Sequence, residues 1–211
     1  MQKLALHTQC VRALACALFL LPLSARSQAP EASTAWSFMS VRFSTGTSSF
    51  IFAGYGHRDV FGMVGLVDNP RSGYTELIGG VGARFALGRT SHAAALAYSR
   101  ATESRYAQLY WIPSVTIARV TAEATVQLYV PTETSGYAQF GVNPLSLSAP
   151  LTTRLSAGAS YQLAAQEGGG PGHAAGPMLR LAVPKGAFTL DLLRGLRDFN
   201  DEARVSFRAT F

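Results

Sequence analysis

The stretch Ala203–Phe211, ARVSFRATF, alternates without a slip. Ala203, Val205, Phe207, Ala209 and Phe211 fall on one side, and Arg204, Ser206, Arg208 and Thr210 on the other. A period of two with unlike faces predicts a strand between two environments. The same alternation recurs upstream. In TAEATVQLYV, Ala122 to Val130 alternate with Thr121 to Tyr129, and RLSAGASYQL and TELIGGVGARFAL repeat the pattern. No amphipathic helix is evident beyond the first residues.

Turn chemistry separates the runs. Polar connections are expected at Asp68–Gly73, Ala101–Ser104, Pro131–Gly136, Glu167–Gly176 and Arg197–Glu202. Tighter links are expected near His57, Arg89, Ala118–Arg119, Ala149 and Pro184–Gly186. The two sets interleave, so consecutive strands must be antiparallel neighbours. Counting from Trp36 predicts an all-β, closed, antiparallel up-and-down transmembrane barrel of about twelve strands, with about ten as the alternative. The ambiguity lies in VRFS, SFIFAGYG and FGMVGLV, and a bulge or bend is expected at Asn143–Pro144.

The chain has 211 residues, and its first segment reads as a leader. Lys3 and Arg12 precede the apolar run Ala13–Ser24, and Ala25 and Ser27 stand at signal-peptidase spacing. Residues 1–27 are therefore expected to be a signal peptide and 28–211 the barrel domain. A retained membrane anchor is the alternative, although the run is short for one. Both cysteines, Cys10 and Cys16, lie in that leader, so no disulfide is expected in the exported domain.

The basic residues after the leader are scattered singly, which argues against a nucleic-acid partner. The polar face holds mainly Ser, Thr, Gly and Gln with isolated charges, too few for the outside of a soluble barrel. Lipid outside and a polar lumen inside is the expected arrangement. Trp36, Phe38, Tyr98, Tyr161 and Phe211, near strand ends, are candidates for interfacial girdles. The lumen face is expected to carry Arg42, Arg84, Arg154, Arg180, Arg204 and Arg208 opposite Glu76, Glu123 and Asp191, with Tyr110 and Tyr129 beside them. Such a set either fills and stiffens a small barrel or lines a narrow channel favouring small anions.

The terminal strand, with Val205, Phe207 and a final Phe211, resembles the C-terminal signal of bacterial outer-membrane β-barrel proteins. That resemblance implies recognition of this strand by the barrel-assembly machinery and its pairing with the first strand in outer-membrane lipid. It also implies periplasmic termini and short turns, with the polar connections outside the cell. A small-solute channel or a structural barrel follows as the expected role. A surface-loop binding module and a secreted soluble barrel remain alternatives.

No catalytic set is evident. His57 and His92 fall in or beside short turns, and His173 in the glycine-rich loop, with no metal-like spacing. GGVGAR, Gly79–Arg84, lacks the helix and the Lys-Ser/Thr ending of a phosphate loop. Its glycines are better read as room for close packing in the wall. No cofactor is expected, and an enzyme is not.

Overall fold

The computed structural model describes residues 35–211. These form twelve antiparallel strands: β1 (Ala35–Ser44), β2 (Ser49–His57), β3 (Val60–Asn69), β4 (Tyr74–Leu87), β5 (Thr90–Ala101), β6 (Arg105–Ile117), β7 (Val120–Pro131), β8 (Gln139–Pro150), β9 (Leu155–Gln166), β10 (Gly172–Val183), β11 (Gly186–Arg197) and β12 (Glu202–Thr210). Each pairs with its sequence neighbours, and β1 pairs with β12, closing a barrel. The expected count of twelve is met and the alternative of ten is not. The expected signal peptide, residues 1–27, lies outside the described residues.

Connections differ at the two ends of the barrel. Four links at the end holding Ala35 and Phe211 have two residues each: Arg58–Asp59, Gly88–Arg89, Ala118–Arg119 and Pro184–Lys185. A two-residue hairpin matches strand twist best with left-handed backbone, and Arg58, Gly88, Ala118 and Lys185 all have positive φ. The other end, called the loop end below, carries connections of three to seven residues, the longest being Thr132–Ala138. The glycine-rich connection is shorter than expected, because β10 already begins at Gly172. Its HAAGPMLRL run can pair along β9 from Gly172↔Ala164 onward, and ladder hydrogen bonds outweigh the loop-like composition.

Strands run from 9 to 14 residues, enough to cross a bilayer when tilted. The register of β7 against β8 and of β8 against β9 shifts near Asn143–Pro144, as the sequence slip suggested, and that peptide bond is cis.

The face assignment is unambiguous. Val64, Leu77, Val81, Leu96, Leu147, Leu179, Leu192 and Val205 point out of the closed sheet and are exposed, Val81 to 67%. Inside lie Glu76, Ser99, Gln108, Ser160, Gln162, Asp191, Glu202 and Arg204, all at most 5% exposed. An apolar band around a closed polar interior inverts the order of a soluble barrel, and hydrocarbon is the solvent that stabilises it. Closure also leaves no strand edge unpaired in that solvent.

Candidate functional site

Glycines set the shape of the lumen. Phe38 stands opposite Gly54, Trp36 opposite Gly56, Phe52 opposite Gly65 and Phe61 opposite Gly82. A Cβ at any of these four glycines would run into the facing ring. Each ring therefore lies against bare backbone on the next strand and stays close to the wall. Trp36, Phe38 and Phe61 pack at centroid distances of 5.7–5.8 Å. Phe52 reaches Tyr110 edge-on, and with Phe61 and Met63 it covers Ile78, Ala95 and Ala97.

Trp36 and Phe38 thus face the lumen, not the membrane interface expected from their position near a strand end. Tyr98 and Phe211 do face outward and are exposed. The aromatic lining escaped the sequence reading because β2, SFIFAGYGH, is apolar on both faces, so alternation carries little information there. The usable signal was the glycine set opposite each ring in the neighbouring strand.

Polar residues occupy the other wall. Arg204 is 1% exposed. It donates from Nε to Glu202 Oε1 at 2.5 Å, from Nη2 to Glu202 Oε2 at 2.7 Å, from Nη1 to Asn143 Oδ1 at 2.6 Å, and to Gln162. Glu202 also accepts from Ser44 and from Thr47 in the β1–β2 connection. Arg42 donates to the same Asn143 Oδ1 at 3.2 Å and to the Ser48 carbonyl at 3.1 Å, with its guanidinium over the Phe50 ring. On the opposite side Glu76 accepts from Ser99 and Gln108, both at 2.5 Å, and Tyr110 donates to Gln108. Tyr129 stands edge-on to Tyr106 and Tyr110. These groups fill the loop-end half of the lumen.

Toward the turn end the interior opens into a cavity of about 510 Å³. Its charged lining comprises Arg42, Arg84, Arg180, Lys185, Arg204 and Arg208 against only Glu123 and Asp191. Glu123 of β7 reaches across to β12 and β10, accepting from Arg208 at 2.5 Å and lying 3.9 Å from Arg180. Asp191 accepts from Ser160 at 2.5 Å, and Arg84 lies over the Trp36 ring at 3.5 Å. One carboxylate is thus shared between Arg180 and Arg208, and another, Glu202, sits beside the Arg42–Arg204 pair. The buried Nε atoms of Arg42 and Arg180 have no hydrogen-bond partner.

Of the lumen residues expected from sequence, Arg154 is misplaced. It lies exposed in the Leu151–Arg154 turn before β9 begins, so its parity with Ser156 places nothing in the lumen. Arg42, Arg84, Arg180, Arg204, Arg208, Glu76, Glu123, Asp191, Tyr110 and Tyr129 lie on interior-facing positions. Glu202, Gln162 and Asn143 were not anticipated. Glu202 reads as the end of a polar connection, yet its parity with Arg204 already placed both on one face.

The histidines among the described residues do not line this cavity. His92 stacks on the outside between Phe85 and Trp111, and His173 belongs to β10, where it meets the Tyr161 hydroxyl at 2.8 Å, instead of to a loop.

Known structures share this architecture. The KdgM porin superposes with a TM-score of 0.57 at 8% identity, covering 83% of this chain and 99% of that one. The fold is that of an outer-membrane β-barrel. The NanC porin gives 0.54 at 8% identity, over 83% of this chain and 98% of its own. An outer membrane channel from Pseudomonas putida F1 gives 0.52 at 8%, over 90% and 99%. At such identity the likeness is one of backbone and topology. No family model and no curated protein matches the sequence.

Proposed function

We propose that this chain is a passive outer-membrane channel for small anionic solutes, closed in the state described above. The carrying observation is the charge around the cavity: five arginines, with Lys185 at the rim beside Phe211, line it against the carboxylates of Glu123 and Asp191, and Glu202 stands behind them on Arg204. Clefts lined by one sign of charge between low-dielectric walls concentrate ions of the opposite sign. Rings of Arg and Lys are the usual device of anion pores. The likeness of fold to porins supports the same reading, and the KdgM porin is known in complex with disordered oligogalacturonate. Insertion by an assembly machinery that reads Val205, Phe207 and Phe211 is part of the proposal, as is residence in the outer membrane.

The packed loop-end half favours a second reading, a structural barrel that conducts nothing. Planar-bilayer recording separates the two. Expected are small steps in the parent protein with a reversal potential favouring chloride over potassium. Conductance should rise several-fold in Glu202→Ala/Arg204→Ala, where the plug is thinned. Silence in both proteins, or a preference for potassium, overturns the channel.

A further inference from the structure

The cavity differs sharply from side to side. Phe38, Phe52, Phe61 and Met63 from β1–β3 line one stretch of the wall, while Arg180 and Arg208 stand on β10 and β12, on the far side of the β1–β12 seam. Arg42 joins the two, since its guanidinium lies 4.5 Å from the Phe50 ring centroid. An inorganic anion would use the arginines and leave the rings facing water, at about 25 cal/mol for every Å² of apolar surface left uncovered. An apolar solute would cover the rings and leave the cation excess of the lining, where Arg180 and Arg208 share the single carboxylate of Glu123, without further counter-charge. Only a molecule with both parts satisfies both walls.

The geometry points to a binding site for an aromatic carboxylate, its ring against Phe38, Phe52 and Phe61 and its acid group on Arg180, which lies 3.9 Å from a Glu123 carboxylate that Arg208 already holds at 2.5 Å. Aromatic pairs favour offset or edge-on contact, which the existing 5.7 Å spacing of these rings already provides. A planar guanidinium matches a carboxylate with two parallel hydrogen bonds, which neither a lysine nor a hydroxyl supplies. At about 510 Å³ the cavity is in the size range of small-molecule pockets. The inference rests on the anion-accepting lumen proposed above and adds what must lie beside the charge.

Trp36 lines the cavity and Trp111 faces outward, so a Trp111→Phe background leaves one reporter inside. The full barrel in non-ionic detergent is titrated with 4-bromobenzoate, a heavy-atom quencher. Expected is saturable quenching of Trp36, at least tenfold weaker in Arg180→Gln and several-fold weaker in Phe61→Leu. 4-Bromobenzyl alcohol should quench without saturation. A gel-mobility shift on heating confirms that each variant is folded. Equal, linear quenching by acid and alcohol overturns the site. Chloride currents on the same preparation keep the two ideas apart. Currents without saturable quenching remove the aromatic site and leave the channel. Saturable quenching in a barrel that carries no current leaves the site and removes the channel.

Discussion

Glu202 accepts from Ser44, Thr47 and Arg204, which ties the β1–β2 connection to the start of β12. Both members of the Arg204–Glu202 pair have side chains at most 1% exposed. Removing one partner of such a pair strands the other charge and costs about 3–5 kcal/mol, whereas removing both costs far less. Glu202→Ala should therefore lower the denaturant midpoint of the detergent-folded barrel strongly, and Glu202→Ala/Arg204→Ala should recover most of the loss. A double variant as unstable as the single would show that packing, not charge, dominates there. The glycines make a sharper test. The three atoms nearest a Cβ at Gly65 all belong to the Phe52 ring. Gly65→Ala should cost about 1–3 kcal/mol through overpacking. In a Phe52→Ala background the same change should cost little, because the obstructing ring is gone. Strict additivity would mean that ring and glycine do not interlock. The bare parity of Arg204 was readable from ARVSFRATF, but its partners were not. Gln162 and Asn143 lie 42 and 61 positions away in sequence and meet it only through barrel closure.

At the level of strands, alternation revealed the elements well wherever the two faces met different surroundings. β7 and β12 read cleanly because lipid lies outside and polar side chains inside. β2, β3 and the first half of β1 did not, because their inner face is also apolar, so hydrophobic pattern cannot tell inside from outside. Arg154 failed for the opposite reason: its parity was right but its strand had not yet begun. The consequence of a correct face is measurable. Val81 is lipid-facing at the middle of β4, and Thr125 of β7 lines the cavity. Val81→Arg should cost about 2–4 kcal/mol in lipid vesicles near the bilayer midplane. Thr125→Arg should cost much less, since its charge reaches the lumen. Similar losses at both sites would contradict the face assignment. At the seam, Phe211 exchanges two backbone hydrogen bonds with Ser37, at 2.8 and 3.0 Å. Deleting Phe211 removes them together with the terminal ring. If that ring is an assembly signal, the deletion should refold in detergent nearly as well as the parent yet lose most of its membrane yield in cells. Equal defects in both settings would assign Phe211 to closure alone.

The molecule as a whole is polar along its axis: wide at the turn end, packed at the loop end, and cationic between. This asymmetry follows from chemistry distributed along every strand. Interior positions near the loops are Glu76, Ser99, Gln108, Gln162 and Glu202, which satisfy one another at hydrogen-bond distance and exclude space for solute. Nearer the turns Ser40, Ala93, Thr125, Thr189 and Ser206 put short side chains inside and leave the cavity, with Trp36, Phe38 and Phe61 held against the wall beside it. Strand number and pairing were available from turn spacing, but this gradient was not, because strand tilt and stagger decide which residues share a level. The cysteines of the sequence both lie within the first 16 residues, so the described residues offer a clean background for introduced thiols. In the detergent-folded barrel, Ser206→Cys should react with a small hydrophilic maleimide at least a hundredfold faster than Ser99→Cys. Thinning the plug by Glu202→Ala/Arg204→Ala should speed the Ser99→Cys reaction while leaving Ser206→Cys nearly unchanged, since the cavity already opens at the turn end. Equal rates at Ser99 and Ser206 in the parent barrel would mean that water and solute pass the loop-end network freely, and that the closed half is not closed in solution.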